Sequence, residues 1–373
     1  MNQLPVRLFT KLLSVVLLVV ACSSVDAETV TNLYEAEVPV SGLGADARTK
    51  GIRDAFAGVL VKVSGDSGLL DNPDFAQLLK RAPGLVQRYS YKSLNPVATG
   101  TEISADRLLR AHFDARAVNR LLRENGIPVW GETRPSMLIW LGQEEGTRRT
   151  LISPELATRL KNRLNSVADS RGMPLIWPLM DVEDQRALQV SDLWGGFEEN
   201  IRHASERYMA DVVLVGRLSN RGHDSWRGEW ILFLPDRINR WQSHANSRRT
   251  LASEGVEQAV DALALRYAPQ QVSQGVSNLR LRVHGLSRLA DYILVQDYLR
   301  SLAMIEDVDL FSAESEKVSF LLKVHGGRDS LVRGIQLGAV LEPVVLQVSP
   351  DPDQPATVVD ESFDGEGLDY RLR

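Results

Sequence analysis

Ala210-Asp-Val-Val-Leu-Val-Gly-Arg-Leu218 is a short, almost unbroken apolar run. It follows a helix-like segment and precedes two strand-like runs. A strand buried on both faces of a mixed sheet reads this way, because neither face keeps a polar set for water. Val212 to Val215 are expected to pack the core, and Gly216-Arg217 to end the strand. Upstream, Met137 to Leu141 is a short apolar strand. Ser153 with Pro154 reads as a helix start, with Leu156, Leu160, Leu164 and Val167 as its buried stripe and Arg171-Gly172 as its close. Leu175 to Leu179 reads as a strand, and Asp192 opens a helix through Trp194, Phe197, Ile201 and Ala204 to Tyr208. Downstream, Trp226 to Leu234 and Arg240 to Ala245 alternate, with Pro235-Asp236 between them. A helix from Ala252 to Tyr267 follows, its stripe Val256, Ala259, Val260, Leu263 and Leu265. The order is βαβαβββα over 134–268, a mixed sheet with helices against it.

Before this module, residues 28–130 read as βααββα. Leu33 to Val40 alternates, and Pro39 confines it to a sheet edge or a strand end. Ile52, Ala55, Phe56, Val59, Leu60 and Val63 recur at helical spacing up to a stop at Gly65. A second helix starts near Asn72-Pro73 and carries Phe75, Leu78 and Leu79. Val86 to Tyr91 and Leu108 to Phe113 are strand-like, and Ala115 to Glu124 is a helix. The expectation is a layer of helices on one antiparallel sheet.

After the middle module, residues 276–348 read as βαββαβ, the ferredoxin-like order. Leu279 to His284 is a strand, and Ser287 caps a helix with Leu289, Tyr292, Val295, Leu299 and Leu302. Val308 to Phe311 and Val318 to Val324 are strands, Asp329 to Leu337 a helix, and Pro343 to Val348 a final apolar run. From Ser349 the chain turns to Pro, Asp and Glu, so 349–373 is expected to be a disordered acidic tail. The fold class is thus α+β and α/β, in three small modules.

Length and composition agree. The chain has 373 residues, enough for two or three domains. Its 44% hydrophobic and 24% charged residues are ordinary globular values, and the formal net charge is -5. No basic stripe suggests nucleic acid as a partner.

The first 27 residues read as a secretory signal. Arg7 and Lys11 make the positive region, and Leu12 to Ala21 is too short to span a bilayer comfortably. Two cleavages fit. Val25-Asp26-Ala27 suits cutting after Ala27. Val19-Val20-Ala21-Cys22 suits lipidation of Cys22, with Ser23 directing the protein to the outer membrane. Cys22 is the single cysteine of the chain, so the remainder carries neither disulfide nor thiol chemistry. The expected location is the periplasm, either soluble or lipid-anchored.

The residues that carry chemistry are dispersed. His112, His203, His223, His244, His284 and His325 spread over three modules with no i,i+4 pair. Gly65-Asp66-Ser67-Gly68 resembles the surroundings of a serine nucleophile, which needs a base and a carboxylate around it. It directly follows a helix, where a glycine stop is expected. Gly42-Leu-Gly44 precedes a helix and reads as turn glycines. Asp181-Val-Glu183-Asp184 is a compact acidic run, read as a solvated loop. Trp194-Gly195-Gly196 marks the place for an exposed groove. No catalytic, cofactor or metal residue is assigned.

Leu33-Tyr-Glu-Ala-Glu-Val-Pro-Val40, Val61-Lys-Val-Ser-Gly-Asp66, Val129-Trp-Gly131 with Arg134-Pro135, Asp192-Leu-Trp-Gly-Gly196 and Ala290-Asp-Tyr292 resemble the proteobacterial domain-of-unknown-function family 2066. The resemblance spans nearly the whole mature chain and implies no function. Tyr208-Met-Ala-Asp-Val-Val-Leu-Val-Gly216 resembles the central strand of the α/β domain of several envelope lipoproteins. These are the curli-secretion, penicillin-binding-protein-activator and Tol-propeller N-domain types. Met209 stands where those families carry glycine, and the Pro235-Asp236 turn is shorter than theirs. Such domains dock partners, which implies a scaffold or regulator that works through contacts with envelope proteins and not as an enzyme. An envelope-directed hydrolase centred on Ser67, or a small-ligand or lipid binder, are the alternatives.

Overall fold

The computed structural model describes residues 30–72, 75–93, 107–268, 276–314, 316–338, 340–344 and 368–373. Cys22, Ala27 and the rest of the leader lie outside them. Helices are combined with three sheets, one antiparallel and two mixed, which is an α+β architecture.

The first sheet has the order β1-β3-β2, all antiparallel. β1 is Glu35–Val40, and the 20-residue α1 is Ala45–Ser64. Short helices α2 (Phe75–Leu79) and α3 (Ala82–Leu85) lead to β2 (Val86–Ser93). β3 (Arg107–Phe113) and α4 (Ala115–Glu124) complete it. Pro39 sits on the edge strand, where its missing N–H costs no ladder bond. The α1 stripe from Ile52 to Val63 is buried against the sheet. Gly65 ends α1 in the left-handed region, φ 70°, its N–H donating to Val61 O.

The second sheet runs β5-β4-β7-β8-β9, with β6 on the start of β4. Its elements in chain order are β4 (Met137–Glu145), β5 (Arg148–Leu151), α5 (Thr158–Ser170), β6 (Leu175–Ile176), α6 (Val182–Ala187), α7 (Val190–Gly195) and α8 (Glu198–Glu206). Then come β7 (Val212–Asn220), β8 (Trp226–Phe233), β9 (Ile238–Ala245) and α9 (Arg248–Tyr267). β7 is central, parallel to β4 and antiparallel to β8. Val212, Leu214 and Leu218 enter one core with α5 and α9, while Val213 and Val215 enter another under α8. The two-faced burial expected of this run is what the fold shows, and each such side chain contributes about 1.5–3 kcal/mol.

Gly216 does not end the strand, which continues to Asn220. Its missing side chain makes room for Trp230. That indole lies in a socket of three glycines, Gly216 on β7, Gly228 on β8 and Gly255 on α9. Its Nε1 donates to Ser243 Oγ at 2.8 Å, and its ring stacks on Trp241 with centroids 6.3 Å apart.

Other expectations for this region are corrected. α5 starts at Thr158, not at Ser153-Pro154: Ile152 is tied to Leu141 O and Pro154 is buried, so the first turn points away and Leu156 is 92% exposed. The strand after α5 stops at Ile176, because Trp177 is followed by Pro178, which has no N–H to donate. The helix expected from Asp192 to Tyr208 is two helices, broken where Gly196 turns left-handed at φ 67°. The acidic run at Asp181 is the cap and first turn of α6, with Asp184 fully buried. Leu265 points to solvent.

The third sheet contains β10 (Ser277–Leu286), α10 (Leu289–Ser301), β11 (Ile305–Glu314), β12 (Glu316–Val324), α11 (Gly327–Leu337), β13 (Leu341–Pro343) and β14 (Leu368–Leu372). The strand order is β11-β12-β10-β14-β13. The chain order up to β13 is the expected βαββαβ, yet β13 is displaced one place outward by β14. β14 lies parallel to β10 and antiparallel to β13, with Leu368 and Tyr370 buried. The C-terminal stretch is therefore not a featureless acidic tail, since its end is an interior strand. Residues 345–367 lie outside the described residues. The N-cap of α10 is Arg288 and not Ser287, and Leu289 is 74% exposed.

The three sheets meet at Val129 to Pro135. Arg134 is completely buried and donates to Gly131 O, Trp130 O, Lys62 O and Arg171 O. Its guanidinium stacks on the Trp130 ring, 4.2 Å from the centroid. Burial, then the neighbouring Arg171, push it down to about 9, so it stays cationic at neutral pH. Arg171, also buried, donates to Gly65 O and Asp261. Two cations thus meet the carbonyl end of α1, where the helix dipole favours positive charge. Gly131 packs on Ala303 of the third sheet's loop, and Arg123 donates to Ala303 O at 3.1 Å.

Candidate functional site

The best candidate surface lies on the third sheet, along β11 and the outer side of α10. Asp291, Val295 and Leu299 face inward on α10, at i, i+4 and i+8. Tyr292 and Tyr298 are partly buried against the same core, whereas Leu289, Ile293 and Leu294 face solvent, with Leu289 and Ile293 one turn apart. α10 packs along β11, the outermost strand, whose free edge has no strand neighbour among the described residues. On it Leu310 is 51% and Phe311 52% exposed.

A free edge is normally blunted by charge and by bulges. β11 has both. Register shifts occur at Ile305/Asp307 and at Leu310/Ser312, and Glu306, Asp307, Asp309 and Glu314 are acidic. Asp307 pairs with Lys323 at 3.4 Å and Glu306 with His325 at 3.2 Å. Asp309 and Glu314 have no ion pair among the described residues. Protection alone does not account for two half-exposed apolar side chains at the second bulge. The Phe311 ring is fixed by Arg280, whose guanidinium lies 4.0 Å from its centroid. The result is an acidic strand edge with a half-exposed apolar side chain on each face of the sheet, Leu310 opposite Phe320 on the core side and Phe311 over Arg280 on the other.

A second cluster forms around α6. The Asp181 side chain caps α6 and receives Arg207 through both guanidinium nitrogens, at 2.8 and 3.0 Å. Buried Asp184 accepts from Met180 N, Arg207 and the Tyr208 hydroxyl. Burial and the Asp184 hydrogen bond push Tyr208 up to about 12. The Arg207 hydrogen bonds hold Asp181 at about 2, below its usual 3.8. All acceptors are internally satisfied, so the cluster is a clasp between α6 and the end of α8. Met180 and Met209 flank it at φ 56° and 48°. Met209 thus stands in a left-handed position that glycine occupies without strain.

Because the folded pKa of Asp181 is depressed, the clasp stabilises the fold above about pH 4. That contribution is lost as pH falls through about 2. An Arg207→Gln variant should be less stable at pH 6 yet lose less between pH 4 and 2 than the parent. Urea midpoints at pH 6, 4 and 2 read this directly, and parallel acid limbs would exclude the clasp as the source.

The places singled out by sequence are not brought together. Ser67 is exposed in the turn after α1, and its hydroxyl has no hydrogen-bond partner among the described residues. Asp66 accepts from Gly68 N, the geometry of a local turn. Gly42 and Gly44 precede α1 as turn and cap. Trp194 is half-buried over Gly142, with Arg149 5.4 Å from its ring and Arg217 donating to its carbonyl. Among the described residues no group of three or more His, Cys, Asp or Glu is placed to hold a metal ion. No helix among them is long and apolar enough to cross a membrane. Leu289 was expected in the core, and nothing in the sequence singled out β11. The signal available was the surplus of apolar residues on α10, more than one buried stripe can use.

A family model described as Domain of unknown function (DUF8605) matches residues 27–131, the part that builds the first sheet. The wider likeness to domain-of-unknown-function family 2066 is not confirmed. No curated protein matches. Among solved structures, the C-terminal domain of LpoB from Salmonella enterica is similar at 14% identity and a TM-score of 0.21, covering 34% of this chain and 91% of that one. Over residues 27–131 the chain is therefore similar to a family whose function is itself unknown.

Proposed function

We propose that this protein is a non-enzymatic docking component of the cell envelope, which takes an extended basic segment of a partner protein as an added strand on β11. The observation that carries the reading is the pairing of a free strand edge with half-exposed Leu310 and Phe311, next to a helix, α10, that packs on β11 and carries exposed Leu289, Ile293 and Leu294. Backbone hydrogen bonds to an edge give affinity, and pockets for alternate side chains give specificity. The unpaired Asp309 and Glu314 favour lysine or arginine on the incoming strand. Other apolar residues are exposed around α6–α8, namely Leu179, Val182, Phe197 and Met209, but among the described residues no free strand edge with exposed apolar residues accompanies them. The envelope location rests on the leader, with export to the periplasm and either cleavage after Ala27 or lipidation at Cys22.

A photo-crosslinking residue at Leu310 should capture a discrete partner in intact cells. The same residue at Leu265, exposed on α9, should not. Adding Ile293→Lys and Phe311→Lys should reduce the Leu310 adduct at least tenfold. Equal capture at both positions, or capture indifferent to the lysines, would rule the docking role out.

A further inference from the structure

β14 occupies a slot that the rest of the third sheet leaves open. β10 offers it one edge, in register from Leu281↔Leu368 to His284↔Arg371. β13 offers the other, from Leu341↔Leu372 to Pro343↔Tyr370. Among the described residues, β13 joins the sheet through β14 alone. Leu368 and Tyr370 complete the core. Asp369 sets the register, accepting from Arg282 at 2.7 Å and lying 3.2 Å from His284.

Two neighbouring antiparallel strands need a loop of about 2–5 residues. Here 23 residues, 345–367, separate Val344 from Leu368. Extended, that length reaches roughly 75 Å, far beyond what joining β13 to β14 demands. None of the contacts that seat β14 depends on which chain supplies it.

We infer that β14 is an exchangeable strand: the slot between β10 and β13 accepts the β14 of a second copy of this chain, and two copies exchange strands reciprocally. A reciprocal exchange closes with two-fold symmetry and leaves no slot empty. The tether supplies the chain's own strand at an effective concentration of about 1 mM. At about 10 µM protein the own strand should therefore outcompete the partner's by on the order of a hundredfold, and the two should draw level as the protein approaches 1 mM.

The test uses the full chain with Cys22→Ser, in two further single-cysteine versions, His284→Cys and Arg371→Cys. These positions are paired in register, at a strand spacing that suits a disulfide. The two versions are unfolded together, refolded at 10 µM to 1 mM, and oxidised. A mixed disulfide dimer rising at least tenfold over that range is expected. A chain carrying both cysteines should close on itself as a monomer at 10 µM. Absence of the mixed dimer at 1 mM, while the double variant closes, would overturn the exchange. Failure of the double variant to close would overturn it too, by removing β14 from β10.

Discussion

An Arg134→Met variant is expected to lose about 3–5 kcal/mol of stability, read from urea unfolding. Methionine fills much of the volume and keeps contact with Trp130, so the loss measures the hydrogen bonds and not a cavity. Without the guanidinium, the buried Arg171 O and the part-buried Lys62 O lose their donor. The carbonyl end of α1 also loses one of its two cations. Arg134→Lys should fare almost as badly. A lysine ammonium is a point donor and cannot span four carbonyls that a planar fork reaches. A stability within about 1 kcal/mol of the parent for Arg134→Met would mean that the surrounding carbonyls find other partners.

Gly255→Ala is the second large effect, and its sign is the informative part. In a helix interior, alanine is better than glycine by about 1 kcal/mol. In α9 the opposite is expected, a loss of about 2–3 kcal/mol. A Cβ at Gly255 would lie inside van der Waals contact with Cζ2, Cη2 and Cε2 of Trp230. The indole cannot retreat, because Gly216 and Gly228 hold it from the other sides and Ser243 holds its Nε1. The two positions should couple. In a Trp230→Phe background, where the atoms in conflict are gone, Gly255→Ala should cost less than about 1 kcal/mol or stabilise. Equal losses in both backgrounds would show that the clash is relieved by backbone movement.

These two sites show how far the sequence could be read. The central strand was legible because both of its faces are apolar, and a strand with no polar face is a local signal. The α1 stripe and its stop at Gly65 were legible for the same reason: the spacing and the glycine are adjacent in the chain. Gly216 was misread as a terminator, since its reason is Trp230 on a neighbouring strand. The Asp181 run looked solvated because its partner Arg207 lies 26 residues on. β14 alternates Leu368, Tyr370 and Leu372, a two-residue period visible in itself. The acidic, proline-rich composition before it masked that signal. The docking surface was hidden by the rule that apolar residues on a helix face inward. α10 carries more of them than its buried face holds, and Leu289 was assigned to the wrong side.

The buried arginines also bear on separability. Residues 27–131 carry the family match, yet they end three positions before Arg134 and exclude Arg171. A fragment cut there would keep α1 and Trp130 but leave the carbonyl end of that helix open to water. The middle segment, taken alone, would carry two cations stripped of the carbonyls they serve. What reads along the chain as a linker between modules is a shared part of both. Evolutionary shuffling or laboratory dissection at this point would have to supply new donors on one side and new acceptors on the other.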